Sequence, residues 1–253
     1  DPRGRHGRQP RQTPVRPQPR QLHRRAPLRR HLAGFGFAAE DWGLGKNLAG
    51  VDLPHTLDDL SDRWSFMPRD EYHGEASVPL LVDRLVGRVQ RRHAATGKPV
   101  ALVGWSLGGY ICREAARDLP DIVDRVATFG SPTKGGPKYT VAADFFRNRG
   151  MDLDWIEEEV AGREANPIQQ PITAIYSRSD AIVCWQACID WISPSVEHVE
   201  VGGAQVVVVM MRMVVAVMIV MVVMIVRRGG ENPGAEPVDQ QADNGHHQGL
   251  VVG

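Results

Sequence analysis

Residues 99–116 read PVALVGWSLGGYICREAA. The apolar run at 99–103 is typical of a buried strand, and residues 110–116 are typical of a helix. Between them, residues 104–108 have the Gly-x-Ser-x-Gly spacing of a sharp strand-to-helix turn, whose flanking positions tolerate almost nothing larger than glycine. The stretch therefore predicts a strand, a tight turn and a helix, with the hydroxyl of Ser106 held clear of the sheet.

On this motif, with a strand before it and a helix after it, the chain resembles the α/β-hydrolase family in its lipase/esterase branch. The resemblance runs from about Pro27 to Val201. The alternation of apolar strands with helices also predicts an α/β fold, with a mostly parallel sheet that has helices on both faces. The family's sheet includes an early strand before residue 26, and residues 1–25 offer mainly Arg, Pro and Gln there, so we expect an incomplete version of the fold.

The sequence divides into four regions. Residues 26–201 are predicted to form the α/β-hydrolase domain, in which residues 133–170 occupy the place of a cap over the active site in many members of the family. Within this domain the patterns predict helices near 26–37 and from Ser77 to about 96, and strands at 37–42, 99–103, 123–129, 172–176 and 196–201. Residues 1–25 are Arg- and Pro-rich and are expected to be disordered, and residues 227–253 form a polar tail.

Residues 206–226 are the fourth region, and they are almost wholly Val, Met and Ile with a single charged residue, Arg212. About 20 apolar residues suffice to span a bilayer, so this block is a candidate transmembrane helix and a point of membrane contact. Two alternatives stay open, a buried terminal helix and low-complexity sequence without an evolved role. Residues 1–25 lack the apolar core of a signal peptide, so we expect a cytoplasmic or membrane-associated protein.

Hydrolysis by a serine requires a base that takes its proton and an anion that orients the base. In the family the chain order is Ser, then Asp or Glu, then His. The resemblance implies that Ser106 is the nucleophile and that Asp180, in the loop after strand 172–176, is the acid. The backbone N–H of Leu107 would be an oxyanion donor, and Asp190 is the weaker alternative for the acid.

Two expected parts of the site are missing from the sequence. The family places its histidine just after the last strand, where this chain has Gly202-Gly203-Ala204-Gln205. His198 falls inside that predicted strand, and His246 and His247 lie in the polar tail. The second oxyanion donor should come from the loop after the missing early strand. The alternative to an esterase is therefore a catalytically inactive hydrolase-like protein or a membrane-tethered binding protein.

The amino-acid composition indicates which binding partners and cofactors we expect. Lysine and arginine balance aspartate and glutamate at a formal net charge of zero, which gives no reason to expect a nucleic-acid partner. The three cysteines, Cys112, Cys184 and Cys188, are an odd number without the spacing of a disulfide framework or a zinc site. We expect no metal and no organic cofactor. The resemblance implies a small acyl-ester or lipid-like substrate.

Overall fold

The computed structural model describes residues 26–44, 61, 64, 77–202 and 221–227. The helices are α1 (Ala26–Gly34), α2 (Ser77–Thr96), α3 (Leu107–Asp118), α4 (Ala143–Arg147) and α5 (Leu153–Glu164). The strands are β1 (Phe37–Asp41), β2 (Val100–Trp105), β3 (Val123–Phe129), β4 (Ile172–Tyr176), β5 (Val196–Glu200) and β6 (Met221–Arg227). Short 3₁₀ helices lie at Gly136–Tyr139 and Trp185–Cys188.

The described strands form one six-stranded sheet in the order β1-β6-β2-β3-β4-β5. Strands β2, β3, β4 and β5 pair in parallel, and β6 pairs antiparallel with both β1 and β2. The predicted fold class is confirmed, because the sheet is mostly parallel and is built from strand–helix alternation.

Helices cover both faces of this sheet. Helix α2 starts at Ser77 with Pro79 in its first turn, where a missing N–H costs little, and buries an apolar stripe that includes Leu81 and Leu85. The stripe packs with α3 and with β2, β3 and β4 in the main core. Successive side chains of a strand point to opposite faces, so Leu102 enters this core while Val103 meets Leu32 of α1 on the other face.

The candidate transmembrane helix at 206–226 is wrong for residues 221–226, which belong to strand β6. Residues 206–220 lie outside the described residues, as do residues 1–25 and the tail beyond Arg227. Val and Ile are β-branched and favour strands, and a strand with neighbours on both edges is as continuously apolar as a buried helix. In the part of the chain that the structure describes, no helix combines the length and the apolar character needed to cross a bilayer.

Strand β6 lies beyond the predicted domain range of 26–201 and occupies the position between β1 and β2. Its register runs from Phe37↔Arg227 to Asp41↔Val223 on one edge, and from Ala101↔Ile225 to Trp105↔Met221 on the other. The chain thus places a strand from its C-terminal part directly beside the strand that carries the Ser106 turn.

Candidate active site

The turn between β2 and α3 holds Ser106 in an unusual backbone conformation. Ser106 has φ 53° and ψ −129°, and among the described residues it is the only non-glycine residue with positive φ. Such a conformation costs of order 1–3 kcal/mol and persists only where the surrounding structure imposes it. The Ser106 N–H donates to the carbonyl of Phe129 at 2.9 Å, which ties the turn to the end of β3. Strain of this kind is typical of functional sites.

Two glycines permit the turn. A Cβ on Gly104 would come within 2.5 Å of the Gly109 Cα and would also collide with the Gly108 carbonyl, so β2 and the first turn of α3 touch through their backbones. A Cβ on Gly109 would collide with the side chain of Ser131. Glycine is therefore required at Gly104, which belongs to the motif, by close approach of backbone, and at Gly109 by the Ser131 side chain; neither glycine has a positive φ.

Leu107 is the first residue of α3, directly after Ser106. The Ser106 carbonyl accepts from the Gly109 N–H at 3.0 Å and from the Tyr110 N–H at 3.4 Å, which closes the first helical turn. The first N–H groups of a helix have no intrahelical acceptor, and the positive end of the helix dipole lies there. The Leu107 N–H is one of these groups, and its role as an oxyanion donor stays a prediction.

Asp180 follows β4 and lies in a turn of its own. Its Oδ1 accepts from the N–H groups of Ile182 at 2.8 Å and Val183 at 3.2 Å. Because β2 and β4 are both parallel to β3, the turns that carry Ser106 and Asp180 leave the sheet at the same edge, from strands that lie two strand spacings, or about 10 Å, apart. Within the described residues no direct hydrogen bond joins these two side chains.

Residues 133–170, the segment predicted to be a cap, are attached to the Asp180 turn by backbone hydrogen bonds, which the sequence did not indicate. Thr140 and Val183 form an antiparallel bridge. On either side of it, the Val141 N–H donates to the Ile182 carbonyl at 2.9 Å, and the Cys184 N–H donates to the Tyr139 carbonyl at 2.9 Å. The residues that donate to the Asp180 carboxylate are therefore the same residues that hold the cap.

The cap also packs beside Ser106. Leu107 contacts a small apolar cluster whose buried members are Ala143, Phe146, Met151 and Leu153. Within the cap, Glu157 of α5 accepts hydrogen bonds from Lys138 and from the Tyr139 hydroxyl, and these two donors hold the pKa of Glu157 below its ordinary value. The segment at 133–170 thus forms an ordered unit that touches both halves of the candidate site.

Asp190 has a structural role. Its carboxylate pairs with the Arg113 guanidinium of α3 at 2.6 Å, and both side chains are buried. It also accepts from the N–H groups of Ile192 and Ser193 at 2.9 and 3.0 Å. Burial alone would raise the pKa of Asp190, but the Arg113 charge and these donors outweigh it and hold that pKa well below the ordinary value. These contacts account for Asp190 structurally, and its part as the weaker alternative for the acid stays a prediction.

We expect Asp190→Asn to lower the free energy of unfolding by about 3–5 kcal/mol at pH 7, because it leaves the Arg113 charge buried without its counterion. Since the folded pKa of Asp190 is depressed, the stability from this pair is fully present above about pH 4 and is lost progressively as the pH falls further. Urea unfolding across pH 2–7 measures both effects. Asp124→Asn is the control, because its pair with Arg125 is exposed and should contribute less than about 1 kcal/mol.

His198 is held away from the site. It lies in β5 opposite Ala174, in the middle of the strands, and its Nε2 is 3.1 Å from the Asp190 N–H, from which it accepts. At the end of β5, where the family has its histidine, the Val201 N–H donates to the Tyr176 carbonyl at 2.8 Å, and no atom of the described residues lies within 4 Å of a Cβ added at Gly202. His246 and His247 lie outside the described residues.

Two of the three thiols are buried. Cys112 and Cys188 are buried, and burial raises the pKa of both, that of Cys188 to about 12. Cys184 is exposed and its Sγ lies 2.8 Å from the amide oxygen of Gln186. Among the residues that the structure describes, no group of three or more His, Cys, Asp and Glu side chains is arranged to hold a metal ion.

Comparison with known proteins finds one family model that is similar to the central part of the chain. Residues 62–161 match a family model described as "Alpha/beta hydrolase". This range includes the Ser106 turn and most of the cap, but not Asp180. No curated protein sequence matches the chain.

Several solved structures are similar to the chain. One is the alpha/beta hydrolase domain-containing protein 10 from mouse, with 18% identity, 53% of this chain and 70% of that chain covered, and a TM-score of 0.33. Another is a lipase-esterase related protein from Clostridium acetobutylicum ATCC 824, with 13% identity, coverage of 52% and 70%, and a TM-score of 0.38. A third is a monoacylglycerol lipase from Paleococcus ferrophilus, with 14% identity, coverage of 48% and 65%, and a TM-score of 0.35.

The family match and the observed strand–turn–helix geometry agree with what the Gly-x-Ser-x-Gly motif implied. Over residues 62–161 this chain is therefore similar to the alpha/beta hydrolase family, and the sheet into which that range folds is mostly parallel, as the family resemblance implied.

Proposed function

We propose that the chain is a serine hydrolase that cleaves a carboxylic ester through an acyl-enzyme on Ser106. The observation that carries the proposal is the positive φ of Ser106 at the junction of β2 and α3. A strained turn of this kind would hold the hydroxyl off the sheet, and Leu107, whose N–H is the proposed oxyanion donor, follows Ser106 directly. The family match to an alpha/beta hydrolase model over the same residues supports hydrolase chemistry at a general level.

In the first half of the reaction, the Ser106 Oγ attacks the acyl carbon and its proton leaves to a base. The carbonyl electrons move to the oxygen, which accepts from the Leu107 N–H. Collapse of this intermediate expels the alcohol, which takes up a proton. Water then repeats the attack on the acyl-enzyme, releases the acid and returns the proton to Ser106.

The proposed activity is limited by the lack of a positioned side chain that accepts the proton of Ser106. Asp180 is available at the same edge to orient a base, but residues 201–205 supply no histidine and His198 is engaged with the Asp190 N–H. Solvent or a buffer base would then take the proton of Ser106. Positioned general bases contribute about 10²–10⁴-fold to such reactions, so we expect turnover to be slow by that factor.

The surroundings of Ser106 favour an apolar acyl group. Leu107 packs against the cap cluster of Phe146, Met151 and Leu153, so apolar side chains lie directly next to the nucleophile. A small acyl ester or a lipid-like ester would place its acyl chain against such a surface. The same turn serves other acyl transfers on this fold, and the ester preference rests on the family resemblance.

The second candidate function is a hydrolase-like binding protein without catalysis. The missing histidine after β5 favours it, because a serine without a base keeps its proton. In this alternative the edge of the sheet would bind an acyl compound without turning it over. The membrane tether that the sequence suggested is not retained, since residues 221–226 form a strand.

A fluorophosphonate probe distinguishes the two candidates. We expect the folded chain to be labelled covalently and Ser106→Ala to lose the label completely, as measured by fluorescence on a denaturing gel. Ser179→Ala is the matched control, because Ser179 is exposed near the same edge and its loss should leave labelling unchanged. Absence of label on a folded chain would support the binding protein, and label retained in Ser106→Ala would exclude Ser106 as the nucleophile.

A further inference from the structure

Ser131, two residues after the end of β3, contacts the first turn of α3. Its side chain is buried, and only 1% of the residue is exposed. A Cβ added to Gly109 would lie 2.6 Å from the Ser131 Cβ and closer still to its Oγ, so the Ser131 side chain already lies against Gly109. The Ser131 Oγ also donates to the Phe129 carbonyl at 3.2 Å, and the same carbonyl accepts from the Ser106 N–H at 2.9 Å.

The first turn of α3 therefore rests on two neighbouring strands. On β2, the backbone at Gly104 approaches Gly108 and Gly109 so closely that a Cβ on Gly104 would not fit. The contact from the end of β3 is made by the Ser131 side chain. A Cβ added to Gly109 would also lie 3.2 Å from the Gly104 carbonyl oxygen, so Gly109 sits over the junction of these two contacts.

The segment that carries Ser131 is itself fixed by hydrogen bonds. The Gly130 N–H donates to the Ile175 carbonyl of β4 at 2.9 Å. The Thr133 N–H donates to the Ala187 carbonyl at 2.7 Å, and the Thr133 hydroxyl donates to the same carbonyl at 3.0 Å. The Ser131 side chain therefore cannot move away from α3 unless hydrogen bonds on either side of it break.

The strained backbone of Ser106 needs such support. Its φ of 53° is a conformation that persists only where neighbouring groups impose it. The Phe129 carbonyl fixes the Ser106 N–H, and the Ser131 side chain limits the position of Gly109, three residues further along. Serine suits this place, because it is small enough to lie against α3 and its buried hydroxyl finds an acceptor in the Phe129 carbonyl.

We propose that Ser131 is a positioning residue for Ser106. Its side chain fills the space below Gly109 and bonds to the Phe129 carbonyl, and together these contacts keep the turn in its strained conformation. Ser131 acts through the first turn of α3 and not on the substrate. Its effect on catalysis rests on the proposed function, whereas its hold on the Ser106 turn does not.

The rate constant of fluorophosphonate labelling, measured on folded protein, tests the proposal. We expect Ser131→Gly to label about tenfold more slowly than the unmodified chain, because the turn can relax from its strained conformation. Ser131→Ala keeps the Cβ and should label at an intermediate rate. It also serves if Ser131→Gly does not fold. Unchanged labelling rates in both variants would overturn the proposal.

Ile172→Val is the matched control for a general loss of stability. It removes one buried methyl group at the start of β4, at the edge of the sheet opposite to Ser106. This variant should unfold at a lower urea concentration and should label at the unmodified rate while folded. An equal loss of labelling in Ile172→Val and Ser131→Gly would show that Ser131 has a structural role only.

An exchange of sizes between the two contacting residues tests the contact itself. Gly109→Ala alone should be damaging, because the added methyl group meets the Ser131 side chain. In the double variant with Ser131→Gly, the methyl group enters the space that this side chain has left. We therefore expect the double variant to label faster than either single variant. A double variant that labels more slowly than both would contradict a role for this contact.

Hydrogen exchange gives a readout that does not depend on the reaction. In Ser131→Gly the amides of Ser106 and Gly109 should exchange about tenfold faster than in the unmodified chain, for the same reason as the labelling. The Val126 amide, in the middle of β3, should keep its protection. If the unmodified chain is not labelled at all, the proposed function fails, and these amides still decide on Ser131. Unchanged exchange at Ser106 and Gly109 would contradict its positioning role.

Discussion

A histidine placed just after β5 is expected to raise the rate of p-nitrophenyl acetate hydrolysis by about 100-fold or more. The variants are Gly202→His, Gly203→His and Ala204→His, made singly. The end of β5 lies at the same sheet edge as Ser106 and Asp180. Strand β4, which precedes Asp180, lies between β5 and the strands β3 and β2, and β2 leads to Ser106. Among the described residues, no atom lies within 4 Å of a Cβ added at Gly202. Initial rates at pH 8 for the three variants and the unmodified chain measure the effect.

The increase in hydrolysis rate given by the added histidine should depend on Ser106 and Asp180. Adding Ser106→Ala to the best histidine variant should abolish it, and adding Asp180→Asn should remove most of it, because the acid orients the imidazole. Gly202→Gln controls for bulk and polarity at that position. If none of the three histidines raises the rate while all three proteins stay folded, the end of β5 does not face Ser106 and the assignment of Asp180 falls with it.

Gly104→Ala is expected to destabilise the chain by about 3 kcal/mol or more, since the added methyl group would meet rigid backbone on the far side of the turn. The Gly108 carbonyl and the Gly109 Cα cannot move away unless α3 shifts as a whole against β2. Because α3 also carries Leu107, fluorophosphonate labelling of Ser106 should fall with stability. Urea unfolding followed by circular dichroism gives the free energy of unfolding.

Substitutions at two further glycines distinguish the effect of steric crowding from the general effect of replacing glycine by alanine. Gly162 lies inside α5 with nothing within 4 Å of an added Cβ, so Gly162→Ala should stabilise the chain by about 0.5–1 kcal/mol. Gly109→Ala should be damaging, but Ser131→Gly should relieve it in part, because the obstacle there is the Ser131 side chain. A Gly104→Ala protein as stable as the unmodified chain would show that the turn is looser than the structure indicates.

Local patterns predicted most of the elements that position the site. The strand at 123–129 and the helix that begins at Ser77 match the structure at those positions, and the strand–turn–helix around Ser106 follows from the motif. These elements depend on residues that are close together in the chain. Their signals are the periodic spacing of apolar residues and the glycines at a sharp turn. The position of Asp180 after β4 is local in the same sense, although its role in the reaction stays a prediction.

Features that depend on distant residues were not predicted. A continuous run of Val, Met and Ile is compatible with a helix or a strand. Residues 221–227 form a strand because they pair with β1 on one edge and with β2 on the other, and both partners are distant in the chain. Likewise, Arg113 and Asp190 are 77 positions apart, and each alone looks like an ordinary surface charge. The bridge from Thr140 to Val183 is made by backbone atoms, which carry no sequence signature.

The position of β6 has a consequence for synthesis of the protein on the ribosome. Phe37 pairs with Arg227, so 190 residues separate the two partners along the chain. At translation rates of about 5–20 residues per second, β1 waits roughly 10–40 seconds before its partner has been made. Throughout that interval the nascent chain carries an open sheet margin beside the strand that ends at Ser106. Chaperones that shield such margins, and the speed of decoding, would then influence how much of the polypeptide reaches its finished form.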